Sequence, residues 1–213
     1  MLLPKQSRKC VTGLAIACSL LLISCAPKEA QQVNLIPKPA QMLMTGGAFQ
    51  IDSVALFGEQ SSQGVNIVID NAWSGSPEGY QLDVTAKGID LRAGSENGLF
   101  YGLQTLRQLY VNGYIPCVSI IDNPRFKYRG LHLDVSRHFF PKEEVMKLLD
   151  VMSSYKLNTL HMHLTDAGGW RIQMDKYPKL TTETAFRTES DWRKWWDGHD
   201  RKYLPEGTPG AYG

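Results

Sequence analysis

The chain reads RGLHLDVSRHFFP over residues 129–141 and KLNTLHMHLTD over residues 156–166. Short apolar runs at 128–135 and 158–164 predict two strands. Between them, apolar residues recur at helical spacing from residue 141 to about residue 156. The predicted buried stripe of that helix consists of Val145, Leu148, Leu149, Met152 and Tyr155. A strand, a helix and a strand with short connections form a βαβ unit, so the two strands are predicted to be parallel.

Polar side chains cluster where the two predicted strands end. Asp134 and Arg137 follow the first strand, and His161, His163 and Asp166 lie at the end of the second. Parallel sheets place their chemistry at the carboxyl ends of the strands, so these groups are predicted to share one mouth. The planar guanidinium of Arg137 suits a carboxylate or two adjacent sugar hydroxyls. A structural ion pair with Asp134 or Asp166 is the alternative.

The two histidines of the second strand allow two interpretations. His161 and His163 are two residues apart, so both side chains are predicted to project from one face of the strand. This spacing is compatible with a metal pair and hence with a metal-dependent amidohydrolase, and equally with two histidines in a polar network. Asp166 lies just past the strand, where its carboxylate orients a histidine or serves only as a turn residue.

Residues 34–124 have the pattern of a small α+β module. Residues 65–69 predict a strand, and residues 80–85 and 89–93 alternate apolar and polar side chains around Ala86-Lys87-Gly88, which predicts a hairpin. Apolar residues at helical spacing predict an amphipathic helix over 98–111. The turn signal Asp122-Asn123-Pro124 separates this module from the βαβ unit.

Residues 1–24 have the pattern of an export signal. Basic residues precede an apolar stretch over 11–23, which is shorter than the roughly 20 residues that a membrane span needs. The stretch ends in Leu22-Ile23-Ser24-Cys25, which resembles a bacterial lipobox, with Cys25 as the lipidation site. The alternatives are a plain secretory signal and an N-terminal membrane helix. We expect residues 25–33 to be a tether, and the protein to be lipid-anchored in the bacterial cell envelope, in the outer membrane or periplasm or at the cell surface.

Charge and cysteine usage limit the classes of partner and of fold. The formal net charge is +2, and three of the basic residues, Lys5, Arg8 and Lys9, lie in the predicted signal. A nearly neutral remainder provides no basic field for a phosphate backbone, so we expect no nucleic-acid partner. Only Cys117 would remain in the folded part of a lipidated protein, so the core must hold the fold. Cys117 lies in an apolar run and is predicted to be buried.

Several motifs together resemble one family. The stretches 129–141 and 156–166, then Gly169-Trp170-Arg171 and the YPKL of residues 177–180, resemble the start of the catalytic barrel of family 20 glycoside hydrolases, the β-N-acetylhexosaminidases. The IPKP of residues 36–39 and the GLFYGLQTLRQL of residues 98–109 resemble that family's preceding domain. The resemblance implies an α+β N-terminal domain over 34–124, followed over 125–213 by the beginning of an incomplete (β/α)8 TIM barrel.

The resemblance also implies an activity without a metal or another cofactor. Members of the family remove a terminal β-linked N-acetylglucosamine or N-acetylgalactosamine from a glycan by substrate-assisted retention. By position, Arg137 matches the arginine that binds hydroxyls of the terminal sugar. Asp166 matches the carboxylate of a network that supports the catalytic acid through a histidine, and His163 has a supporting role. Ala167 stands where many members have a second acidic residue, so no role passes to that position.

The residues that carry the family's reaction are missing from these 213 residues. The catalytic Asp-Glu pair belongs to a Gly-Gly-Asp-Glu motif, which the sequence does not contain. A complete barrel needs about 250 residues. We therefore expect a truncated chain, inactive alone, from a parent enzyme that is active. A surface lipoprotein that binds glycans without cleaving them is the non-enzymatic alternative. The aromatic and charged segment 191–199 suits an active-site loop or a structural loop.

Overall fold

A mixed five-stranded sheet forms the first half of the fold. The computed structural model describes residues 33–53, 64–199 and 201–213, so the predicted signal, Cys25 and nearly all of the tether lie outside the described residues. The sheet has the order β1-β5-β3-β4-β2, in which only the pairing of β2 with β4 is parallel. Its strands are β1 (Gln41–Gln50), β2 (Val65–Ile69), β3 (Tyr80–Thr85), β4 (Gly88–Ala93) and β5 (Tyr114–Asp122).

The predicted hairpin is confirmed, although its turn is one residue shorter than the predicted Ala86-Lys87-Gly88, because Gly88 belongs to β4. Thr85 pairs with Gly88 across the two-residue turn Ala86-Lys87, and β3 and β4 are antiparallel. Tyr80, Leu82 and Val84 on alternate positions of β3 are almost fully buried, as the period of two requires. The alternation of apolar and polar residues therefore predicted the hairpin, and the structure shows which of its faces is buried.

One helix covers the buried face of this sheet. Helix α1 (Glu96–Leu109) begins and ends two residues earlier than predicted. Ser95 precedes it and accepts a hydrogen bond from the backbone of Gly98 at 3.4 Å, which is the usual role of a serine at this position. A Cβ atom at Gly102 would overlap the side chain of Leu91, so glycine allows the helix to approach the sheet closely.

The predicted βαβ unit is present. It consists of β6 (Gly130–Asp134), α2 (Lys142–Ser154) and β7 (Thr159–His163), and the two strands pair in parallel. The register pairs Asp134 with His163, so the carboxyl ends of both strands lie side by side. The remaining elements are short: β8 (Thr165–Asp166), β9 (Gly169–Trp170), α3 (Lys179–Thr182) and α4 (Trp192–Asp197). No helix in the described ranges has the length and apolar character that crossing a membrane requires.

The prediction of a buried stripe on α2 was wrong for most of its members. Within the described residues, Met152 is the one fully buried side chain of α2. Leu149 is 37% exposed, and Tyr155, just after the helix, is 47% exposed. Helical periodicity identifies an apolar face but does not supply the layer that covers it. Here Val145 and Leu148 line an open cavity of about 300 Å³ together with Leu133 and Phe140.

Polar contacts join the βαβ unit to the first sheet. The buried ammonium of Lys156 lies 3.0 Å from the carboxylate of Asp122 and 2.8 Å from the hydroxyl of Tyr80. Arg129 donates to Glu78 at 3.0 Å, and this guanidinium holds the pKa of Glu78 below its usual value. These contacts lie around a cavity of about 520 Å³ at the amino-terminal ends of β6 and β7. Buried ion pairs of this kind fix one segment against another only while both partners are present.

Candidate active site

The loop after β6 is built around Asp134. Its carboxylate Oδ1 accepts hydrogen bonds from the backbone N–H groups of Ser136 and Arg137, both at 3.0 Å. This is the local turn that aspartate favours, and it reverses the chain as the strand ends. The buried hydroxyl of Ser136 donates to the carbonyl of Gly169 at 2.8 Å. The loop is therefore joined to the turn that follows the neighbouring strand.

The guanidinium of Arg137 lies between two carboxylates. It forms ion pairs through Nε with Asp134 and through Nη1 with Asp166, and its Nη1 is also 3.4 Å from Nε2 of His163. Its side chain is 35% exposed, so a ligand can reach it. Both ion pairs that the sequence left open as an alternative are therefore present. They do not exclude ligand binding, because two anchored carboxylates also hold the exposed fork in one orientation.

Asp166 is held in its ionised form. The backbone N–H of Ala167 donates to Asp166 at 2.7 Å and is the main cause that lowers the pKa of its carboxyl, with Arg137 and His163 contributing. Nε2 of His163 lies 3.1 Å from Oδ2 of Asp166. A carboxyl with a lowered pKa does not hold a proton at neutral pH, so Asp166 suits an accepting or orienting role and not that of a general acid.

The histidines do not form a metal site. Within residues 33–53, 64–199 and 201–213, no group of three or more His, Cys, Asp or Glu side chains is arranged to hold a metal ion. The ring of His132 lies edge to face with both rings, 4.8 Å from that of His161 and 6.1 Å from that of His163. His163 also contacts Asp166 and Arg137, so the two histidines share one partner and His163 alone belongs to the carboxylate network. In the part of the chain that the structure describes, the metal-dependent amidohydrolase hypothesis therefore finds no set of three ligands.

The aromatic segment 191–199 lies beside the site. Its central part is helix α4, and a Cβ atom at Gly168 would lie 3.1 Å from the ring of Trp192. The hydroxyl of Tyr203, farther along the chain, donates to the carbonyl of Ala167 at 2.5 Å. The turn that follows Asp166 is therefore packed against this segment. The larger cavity at the opposite ends of the strands includes none of the three predicted site residues.

The structure brings together all three site residues that the sequence predicts, Arg137, His163 and Asp166. Two neighbouring residues were not predicted. Arg187 contacts the backbone on both sides of the site, and Tyr212 contacts the loop after β6. No periodicity or motif in the sequence connects positions so far apart.

Two sequence models of one family match the chain. The model of the glycosyl hydrolase family 20 catalytic domain matches residues 126–206, and that of glycosyl hydrolase family 20 domain 2 matches residues 55–123. Together they match more than half of the chain. The fold of this chain, an α+β domain followed by the beginning of a TIM barrel, is therefore that of a glycoside hydrolase. The chain belongs to glycosyl hydrolase family 20.

Individual proteins are similar to this chain over most of its length. The beta-hexosaminidase of Porphyromonas gingivalis is 31% identical over 84% of this chain, which covers 30% of that relative. The beta-hexosaminidase of Akkermansia muciniphila is 36% identical over 83% of this chain, which covers 35% of that relative. The chain thus spans about a third of the length of these relatives.

A solved structure agrees with the fold. It is the exo beta-N-acetylglucosaminidase of Vibrio harveyi in complex with N-acetylglucosamine, which is 33% identical, with a TM-score of 0.61. The match covers 72% of this chain and 29% of that structure. The prediction of an α+β domain followed by the beginning of a (β/α)8 barrel is therefore confirmed.

Proposed function

We propose that this chain carries part of the terminal-sugar site of a β-N-acetylhexosaminidase. The enzyme would remove terminal non-reducing β-linked N-acetylglucosamine or N-acetylgalactosamine from a glycan. The observation that carries the proposal is the placement of Arg137 at the carboxyl ends of two parallel strands, between Asp134 and Asp166, in a segment that matches the family's catalytic domain. Carboxyl ends of barrel strands are where barrel enzymes hold their substrates.

Arg137 would bind the sugar through its planar set of N–H donors. Two adjacent hydroxyls of a pyranose match this fork, and a charged donor forms stronger hydrogen bonds than a neutral one. Asp134 and Asp166 would fix the guanidinium before the sugar arrives, which reduces the entropy lost on binding. Ionised Asp166 would also accept from a histidine of the network that supports the acid, with His163 in a supporting place.

Bond cleavage would depend on residues other than these. In substrate-assisted retention the acetamido oxygen of the sugar attacks the anomeric carbon, while a carboxylic acid protonates the leaving oxygen. Asp166 does not suit that acid because its pKa is lowered. No Gly-Gly-Asp-Glu motif occurs in the sequence. We therefore expect the 213 residues alone to bind the sugar without cleaving it, and the complete enzyme to cleave it.

Hydrolysis of two aryl glycosides by the complete enzyme tests the proposal. We expect release of the aryl group from an aryl β-N-acetylglucosaminide, and release at least about 10³-fold slower from the matching aryl β-glucoside, which lacks the attacking acetamido oxygen. The two substrates share the aglycone and the other hydroxyls and differ at C2, where the glucoside has a hydroxyl in place of the acetamido group. Comparable rates on both, or no hydrolysis of either, would contradict the proposal.

The non-enzymatic alternative is a surface lipoprotein that binds glycans without cleaving them. A surface lipoprotein with Arg137 and no acid would bind N-acetylglucosamine without releasing an aryl group. If the complete protein binds the aryl β-N-acetylglucosaminide and the concentration of that substrate does not fall with time, the protein has this function. The two proposals therefore give opposite results in the assay above.

We also propose attachment to the bacterial envelope through a lipid on Cys25. The support is the sequence Leu22-Ile23-Ser24-Cys25 after a basic and apolar leader. Fractionation of cells that express the protein and its Cys25→Ser variant tests this. We expect the first protein in the membrane fraction and the variant outside it, because no lipid can be attached without the Cys25 thiol and membrane binding depends on that lipid. Equal membrane content of both proteins would contradict the proposal.

A further inference from the structure

We propose that Arg187 is a positioning residue that fixes the backbone of the loop carrying Arg137 and of the turn after Asp166. The inference concerns the geometry of the loop. Its consequence for sugar binding rests on the proposed function. Arg187 lies on no helix or strand and is fully buried, which is unusual for an arginine.

The guanidinium of Arg187 donates to four backbone carbonyls. Nη2 donates to the carbonyls of Arg137 and Ser190, each at 2.7 Å, and Nη1 donates to that of Gly168 at 2.8 Å. Nε donates to the carbonyl of Glu189 at 2.5 Å. One side chain therefore connects the loop after β6, the turn after Asp166 and the segment that leads to α4.

These carbonyls take the place that a carboxylate usually has beside a buried arginine. Within the described residues, no carboxylate lies within ion-pair distance of Arg187; the ring of Tyr212 lies 4.7 Å from the guanidinium carbon, and the carboxylates of Glu189 and Asp191 interact with its charge from farther away. Burying a cation is costly unless hydrogen bonds satisfy it. An apolar side chain of similar size would avoid that cost. The fork of donors is explained by the three segments that it holds together.

Tyr212 extends the same support to the next residues of the loop. The backbones of Arg187 and Tyr212 pair in both directions, with N···O distances of 2.9 and 2.8 Å. The hydroxyl of Tyr212 accepts from the backbone N–H of Phe139 at 3.2 Å and lies 2.7 Å from Nδ1 of His138. Three consecutive residues after β6 are therefore held from one side by Arg187 and Tyr212.

The loop is thus fixed on two sides. Asp134 holds the N–H of Arg137 from within the loop, and Arg187 holds its carbonyl from outside. The peptide planes on both sides of the Arg137 Cα are restrained, so its side chain leaves the backbone in one direction. A site that must hold a sugar hydroxyl within hydrogen-bond distance requires such support behind it.

Amide hydrogen exchange on the chain and its Arg187→Lys variant tests the proposal. A lysine ammonium lacks the planar fork and cannot reach carbonyls on three segments at once. We expect the amides of Ser136 and Arg137 to exchange at least about ten-fold faster in R187K, whereas the amide of Val118 in β5 changes no more than the overall stability does.

Arg129→Lys is the matched control. Arg129 also donates to backbone carbonyls, those of Lys156 at 2.8 Å and Phe126 at 2.7 Å, but it precedes β6 and lies at the opposite end of that strand from Arg137. We expect R129K to be destabilised without faster exchange at Arg137. Equal exchange at Arg137 in R187K and in the unaltered chain, or an equal increase in R129K, would overturn the proposal.

Tyr212→Phe provides a second variant that keeps the backbone pairing with Arg187. It removes the acceptor of the Phe139 N–H, so we expect the amide of Phe139 to exchange about ten-fold faster. Unchanged exchange at Phe139 would overturn the support by Tyr212. If R187K does not fold, exchange in the unaltered chain decides the question for Arg187: amides of Ser136 and Arg137 that exchange as fast as those of an unfolded chain would overturn the proposal.

The exchange result is independent of the sugar. If the complete enzyme does not hydrolyse the aryl N-acetylglucosaminide, the proposed function fails while faster exchange at Arg137 in R187K still supports positioning. If the enzyme is active, we expect R187K to lower kcat/KM at least about ten-fold, and R129K to leave it within two-fold. An unchanged kcat/KM in R187K would overturn the link between positioning and binding.

Discussion

Replacing Asp122 with alanine is expected to lower the free energy of unfolding by about 3–5 kcal/mol, because it leaves a buried charge without its partner. Lys156 is 6% exposed, and its ammonium lies 3.0 Å from the Asp122 carboxylate. Burial already lowers the pKa of Lys156, and Asp122 opposes that effect. Denaturant unfolding of the chain and of D122A measures the difference.

The pH dependence of D122A identifies the cause. Without the carboxylate, the folded-state pKa of Lys156 falls further below its unfolded value near 10.5. The unfolded chain then binds more protons between the two pKa values, so the stability of D122A rises with pH in that window. We expect the stability difference between D122A and the unaltered chain to shrink as the pH approaches that value.

Asp90→Ala is the matched control for this experiment. Asp90 forms an ion pair with Arg92 at 2.8 Å, but the side chains are 34% and 53% exposed. Exposed pairs contribute about 0–1 kcal/mol, so D90A is expected to unfold nearly as the unaltered chain does. A cost for D122A no larger than that for D90A would show that the buried pair does not hold the two parts of the fold together.

Replacing Arg137 with alanine is expected to lower kcat/KM of the complete enzyme by about 10²–10⁴-fold. Two hydrogen bonds from a charged donor to sugar hydroxyls contribute about 1.5–3 kcal/mol each, and every 1.4 kcal/mol is a factor of ten. The substitution also leaves Asp134 and Asp166 facing each other without the cation between them. Steady-state kinetics with an aryl β-N-acetylglucosaminide measures the loss.

The conservative variant separates charge from shape. Arg137→Lys keeps a cation near Asp134 and Asp166 but loses the planar fork. We therefore expect the kcat/KM of R137K to stay below about a tenth of that of the unaltered enzyme. Lys147→Ala is a suitable control, because Lys147 is an exposed cation of α2 whose ion pair with Glu144 lies on the surface. Activity of R137A within two-fold of that of K147A would contradict a sugar-binding role.

Local sequence patterns predicted the positions of the helices and strands better than the burial of their apolar faces. The hairpin of β3 and β4 was predicted because the short segment Ala86-Lys87-Gly88 separates two runs of period two, and the structure shortens its turn to Ala86-Lys87. The parallel pair of β6 and β7 was predicted because a helix of the right length separates them. The α2 stripe was wrong because periodicity shows which face is apolar, whereas burial also depends on what packs against that face.

The site was predictable as far as strand topology determines it. Arg137, His163 and Asp166 belong to the ends of adjacent parallel strands, so the βαβ pattern alone places them near one another. Arg187 and Tyr212 reach the same loop from segments without regular structure. Their contacts arise from how the loops pack, and no spacing rule in the sequence indicates them. The cavity at the opposite strand ends was not predicted for the same reason.

The central claim is that these 213 residues hold a sugar-binding part of a hexosaminidase site without its catalytic pair. The most direct measurement compares release of the aryl group from an aryl β-N-acetylglucosaminide by the 213-residue chain and by the complete enzyme, at equal molar concentration. We predict turnover by the complete enzyme and no release above the blank by the chain. Turnover by the purified chain that disappears in its R137A variant would contradict the claim.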